Sequence, residues 1–112
     1  MRKSILTEYE EISAFSGKSR ECDHHLIMGR GTRELCEKDG LYIPMQNCEH
    51  NCSPNGLIHQ IHENPAAEKL SKMLGQVAWE KEYLAKKLDE MGVDARAESR
   101  EKFMKRYGQS WL

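Results

Sequence analysis

From Asn64-Pro65 onward the apolar residues fall into step, and that step dictates most of what the chain can become. Leu70, Met73, Leu74, Val77, Leu84, Leu88 and Met91 recur at three- and four-residue steps or their sum. Such spacing places them along one side of a 3.6-residue helix. Asn64 is a good cap, and Pro65 suits the first helical position, where its missing N–H costs nothing. Gly92 is a natural stop. The expectation is one long amphipathic helix with its stripe against a core. Trp79 and Tyr83 lie off that stripe on a second face, which either covers the first half of the domain or meets another subunit. A shorter helix is expected from Asp94 through Phe103, Met104 and Tyr107 to Gly108, with Trp111 and Leu112 tucked in behind it.

The segment before Asn64 has another character. Residues from about 15 to 64 carry all four cysteines, all five histidines and most of the glycines. Leu26-Ile27-Met28 is a short apolar run ended by Gly29-Arg30-Gly31, and Thr32 to Lys38 suits a helical turn. Asp39-Gly40 marks a turn. Leu41-Tyr42-Ile43 reads as a strand closed by Pro44. Two short strands around a crossing loop, then a helix, make a ββα unit. With 112 residues there is room for one modest core, so residues 1–112 are expected to form a single α+β domain.

Charge narrows the functional classes only a little. The net charge is −1 although 31% of the residues are charged. No global basic field advertises nucleic acid, but a local positive face and a metal would suffice for phosphate contacts. No apolar run reaches the roughly 18–20 residues of a membrane span. The N-terminus turns acidic at Glu8, Glu10 and Glu11, where a secretory segment would become apolar, so a cytoplasmic location is expected. In a reducing compartment Cys22, Cys36, Cys48 and Cys52 are free thiols or metal ligands before they are disulfides.

Chemistry is concentrated in the histidines. Cys22-Asp23-His24-His25 places two imidazoles side by side at the head of the first apolar run. Neighbouring side chains on an extended segment point to opposite faces, so one can grip an ion while the other addresses a water beside it. His50-Asn51 and His62 follow, and histidines separated in sequence can converge on one metal.

These residues, in this order, resemble the HNH nucleases of phages and phage-derived islands. The likeness rests on His24-His25-Leu26-Ile27, Gly29, Arg33, Asp39-Gly40-Leu41 with Ile43-Pro44-Met45, His50-Asn51, and Ile61-His62 with Asn64. It extends into Leu70-Ser71-Lys72-Met73-Leu74-Gly75-Gln76 and the ending Phe103-Met104-Lys105-Arg106-Tyr107-Gly108. The resemblance implies a ββα-metal (HNH) core over about residues 15–64, followed by the long and the shorter helix. It implies a divalent-metal-dependent endonuclease acting on DNA. His25 would be the general base, and His24, His50 and His62 the metal ligands, with His59 competing for the role of His62. Arg30 and Arg33 are candidates for phosphate contacts. Magnesium or manganese is the expected ion, with zinc or nickel able to substitute.

Two departures from the family pattern matter. Many relatives pin the fold with zinc held by two cysteine pairs; here Phe15-Ser16-Gly17-Lys18 stands in place of the first pair, and Gln46 and Glu49 in place of the second. That resembles a zinc-free branch in which packing replaces the metal. The middle Asn that orients the base is not evident near Tyr42, although a backbone carbonyl can serve the same purpose. Two rival readings follow. One is a degenerate HNH scaffold that binds DNA or protein without cutting. The other is a structural zinc protein using Cys22, Cys48, Cys52 and a histidine. A weak homodimer through the Trp79 and Tyr83 face is a further expectation, since one such site per chain would nick a single strand.

Overall fold

The computed structural model describes residues 2–50, 65–91 and 95–112. Along them run strand β1 (Cys22–His25), helix α1 (Arg33–Asp39), strand β2 (Tyr42–Met45), the single-turn helix α2 (Asn47–His50), the long helix α3 (Pro65–Met91) and helix α4 (Ala95–Tyr107). The chain is therefore a small α+β fold. The expected cap Asn64, the stop Gly92 and the helix start Asp94, and the side chains of Leu88 and Met91, lie outside the described residues.

β1 and β2 pair antiparallel, with His24 opposite Ile43 and His25 opposite Tyr42. The first strand thus begins at Cys22, four residues before the apolar run that the sequence suggested. Leu26 extends the ladder by one bond, its N–H reaching the Leu41 carbonyl at 3.0 Å. Leu26 and Ile27 are both buried, and the chain bends there as it leaves β1. The run is a turn packed into the core.

Pro44 lies within β2 rather than closing it. The carbonyls of Leu41 and Met45 face the β1 side, accepting from Leu26 and Glu21, so the intervening Pro44 directs its missing N–H outward, where the ladder loses nothing. That outer edge is covered by the N-terminal segment. Ile5 N–H donates to the Gly40 carbonyl at 2.9 Å, and Ala14 N–H to the Pro44 carbonyl at 2.9 Å. Between them the Ser4 hydroxyl donates to the Tyr42 carbonyl at 2.6 Å. An edge otherwise open to pairing with another chain is closed in this way.

Helix α1 ends where Asp39-Gly40 predicted. Gly40 has φ +73, and a Cβ there would stand 2.4 Å from the Lys3 carbonyl oxygen, so both conformation and space require glycine. Asp39 then joins three elements. It accepts from the Trp79 indole at 3.0 Å, from Arg106 through both carboxylate oxygens at 2.6 and 2.8 Å, and from the Tyr107 hydroxyl at 2.8 Å. Around this pin lies the core of Ile27, Cys36, Leu41, Phe103 and Tyr107, with Trp79 and Trp111 packed against it. Trp111 is tucked in as expected, while Met104 and Leu112 are exposed.

The buried face of α3 is not the apolar stripe. Leu70, Leu74 and Val77 are 64%, 48% and 49% exposed, whereas Ser71 and Gln76 are buried. Gly75 is the reason: a Cβ there would meet Ile27 Cγ1 at 2.8 Å, so the helix backbone lies directly on the Leu26–Ile27 turn. No side chain fits at Gly75 itself. The buried polar side chains are satisfied, Gln76 by Glu80, Ser110 and the Trp111 N–H. Trp79 likewise serves the interior, edge-on to Phe103 and stacked on Tyr83. Tyr83, the other half of that aromatic pair, is half-buried beside it.

Candidate functional site

Strand alternation sends the paired histidines to opposite sides of the ribbon. His24 is 2% exposed. Its Nδ1 stands 3.2 Å from His50 Nε2, brought there by the single turn of α2 that follows β2. On the other side of the ring, His24 Nε2 stands 3.0 Å from the Ser71 hydroxyl of α3. Ser71 has one proton to give, and it goes to the Leu26 carbonyl at 2.7 Å. Ser71 therefore accepts from His24, which fixes the neutral ring as the Nε2–H form and leaves the Nδ1 lone pair facing His50. The Gly75 contact, one turn further along α3, holds the helix at the depth that makes this bond reachable.

His25 occupies the opposite face, next to the tilted ring of Tyr42. Its Nε2 lies 3.3 Å from a Glu37 carboxylate oxygen on α1. Arg33, one turn earlier, approaches the same oxygen at 3.7 Å. Arg30 is exposed in the Gly29–Gly31 loop. Of the five sequence candidates around the centre, His24 and His50 are together, His25 and Arg33 are linked through Glu37, and His62 lies outside the described residues, as does its competitor His59. Ser71 and Glu37 were missed. A serine inside a run of helix formers was the one available signal for Ser71. Glu37, four residues after Arg33, reads from sequence as a surface ion pair.

Two imidazole nitrogens sharing a tetrahedral ion at about 2.0–2.1 Å would stand roughly 3.3 Å apart, and the 3.2 Å between His24 and His50 fits that spacing. The outward hydrogen bond of His24 to Ser71 is the kind of support that a metal-bound imidazole uses. Among the described residues, no group of three His, Cys, Asp or Glu side chains is placed to share one ion.

The thiols take other parts. Cys36 is buried and donates to the Ile27 carbonyl; burial pushes its pKa up to about 11, so it is an inert core thiol at neutral pH. Cys22 is half-buried and Cys48 exposed, and Cys52 is outside the described residues. A carboxylate clasp joins the loop at Ser13 to the turn at Gln46. The Ser13 hydroxyl and the Gln46 N–H both donate to Glu49 Oε2, and Gln46 Nε2 donates to the Ser19 carbonyl. Burial acts to raise the Glu49 pKa, but bonds from Ser13, Ser16 and the Gln46 backbone outweigh it and hold the carboxyl below its usual range.

Among the described residues, no helix is long and apolar enough to cross a membrane. No family model matches this chain, and no curated protein or solved structure was found to match it.

Proposed function

We propose that the chain is a divalent-metal-dependent endonuclease of the HNH type that hydrolyses DNA phosphodiester bonds. One observation carries this reading: His24 and His50, distant in sequence, meet at ligand spacing on a ββα ribbon, with the tautomer of His24 set by Ser71. The clasp of Ser13, Gln46 and Glu49 is a second support, because it brings together the two loops that zinc joins in relatives of that family.

In this reading His24 and His50 hold the ion, with His62 as the third ligand by resemblance. A bound divalent cation polarises the scissile phosphate and stabilises charge on the departing oxygen. His25 takes the proton of a water whose oxygen forms the new bond to phosphorus. The phosphorus–oxygen bond to the leaving 3′-oxygen breaks, and that oxygen is protonated from solvent. Arg33 and Arg30, on the α1 side of the ribbon, contact backbone phosphates. Magnesium prefers oxygen ligands and manganese tolerates imidazole well, so manganese is the stronger activator in vitro and zinc or nickel competes for the same site.

The test is a plasmid-nicking assay across magnesium, manganese, nickel and zinc, run with wild type and His24→Ala. Wild type nicks with at least one ion, and the variant needs a much higher ion concentration for the same rate. DNA binding without cleavage under any ion would instead favour a non-catalytic binding scaffold.

A further inference from the structure

The proposed base needs a group that fixes its ring, and the sequence offers no Asn for that purpose beside Tyr42. We propose that Glu37 is the positioning residue for His25, holding it as the Nε2–H tautomer so that Nδ1 is the nitrogen that accepts the proton from water. This rests on the nuclease reading and adds a residue which that reading lacks.

Three elements converge on the ring. β1 carries His25 directly opposite Tyr42 of β2, whose ring stands 6.4 Å away, centroid to centroid, and limits its swing. Glu37 comes from the middle of α1, its Oε1 3.3 Å from His25 Nε2. An ionised carboxylate can only accept, so the hydrogen on the facing nitrogen is dictated. In a neutral imidazole the other nitrogen must then carry the lone pair.

Glu37 is itself held in place. Arg33 approaches the same oxygen along one helical turn, and the Glu37 carbonyl accepts from Arg2 N–H at 3.2 Å. The side chain of His25 is 16% exposed, so a water can reach the ring although most of it is enclosed. Glu37 reaches the ring of His25, and its role is exerted through that ring. Its side chain is about one-third exposed, so substitutions there should leave the fold intact.

The experiment compares wild type, Glu37→Ala and Glu37→Gln by two readouts. The first is long-range proton–nitrogen correlation of the His25 ring in alkaline buffer, with nitrogen-labelled protein and no metal. Wild type shows one Nε2–H form, because the carboxylate can only accept; Glu37→Ala shows a mixture of tautomers, and Glu37→Gln, whose amide can accept or donate, falls between them. The second is manganese-dependent plasmid cleavage. Glu37→Ala loses roughly 10–100-fold in kcat, the loss typical when the outer partner of a functional imidazole is removed. KM is nearly unchanged, and Glu37→Gln recovers part of the rate, in step with its share of the Nε2–H form.

An Nδ1–H form in wild type, or an unaltered tautomer and kcat in Glu37→Ala, overturns the assignment while leaving the nuclease reading in place. Tautomer selection by Glu37 in a wild type that cleaves no DNA with any ion retires the nuclease reading and upholds the positioning.

Discussion

Gly75→Ala puts a single methyl group where α3 lies on the Leu26–Ile27 turn. In an exposed helix this change would add stability, about 1 kcal/mol from helix propensity alone. Here the new Cβ would meet Ile27 Cγ1 at 2.8 Å, Leu26 Cβ at 3.1 Å and Ile27 Cδ1 at 3.3 Å. Leu26 and Ile27 are fully buried, so neither side chain can swing away into solvent. Overpacking of a closed core costs about 1–3 kcal/mol, and three close contacts belong toward the upper end of that range. The two effects leave a net loss of about 1–2 kcal/mol. With an unfolding entropy of about 2.1 cal/mol/K per residue, a chain of this length loses roughly 4–8 °C in Tm. The assay is thermal unfolding by circular dichroism in a metal-free buffer, beside Leu70→Ala as an exposed control. A rise of several degrees in Gly75→Ala would show that α3 does not rest on the turn, and the path from Ser71 to His24 would fall with it.

Ser71→Ala removes the acceptor of the buried His24 N–H and should weaken manganese binding by about 10–100-fold in calorimetric titration; unchanged affinity would remove Ser71 from the site. Asp39→Ala strands the Tyr107 hydroxyl and the Trp79 indole and should cost about 2–3 kcal/mol in urea unfolding, so a loss below half a kcal/mol would contradict its role as a pin. Glu10 is held below its usual carboxylate range by the Ser4 N–H and then by the Tyr42 hydroxyl, and Glu49 is lowered by its clasp. A carboxyl with a lowered folded-state pKa contributes stability above its ordinary range and loses it as pH falls through the folded value. Glu10→Gln with Glu49→Gln should therefore flatten the acid side of the stability profile, and an unchanged acid slope would refute the assignment. Arg30→Ala should reduce the slope of log affinity for DNA against log salt by about one; an identical slope would place Arg30 away from phosphate.

The sequence made some of this legible through local rules. Asp39-Gly40 and the approximate extents of α3 and α4 follow from turn chemistry and helical period, and the tucked position of Trp111 was expected too. The His24 and His50 pairing was legible only through the ordered family-like set, since no spacing rule joins residues 26 apart. The buried face of α3 was not legible. Hydrophobic period points to Leu70, Leu74 and Val77, whereas close backbone approach at Gly75 selects small and polar residues whose hydrogen-bond partners come from far along the chain. The N-terminal cover on β2 was missed for a related reason. Ser4, Ile5 and Ala14 act through backbone edges and a hydroxyl, with no pattern of their own. Exposed Leu74 and Val77 instead flank an open groove with Ile5 and Leu6, so apolar surface remains on α3 although Trp79 is spent inside.

Whether the proposed nuclease uses His25 as its base is decided by His25→Ala. Wild type and variant are compared for manganese affinity, DNA affinity and plasmid cleavage under one buffer. A general base acts in the transition state, so cleavage should be lost while both affinities stay near wild type. A variant that nicks plasmid at close to the wild-type rate contradicts His25 as the base.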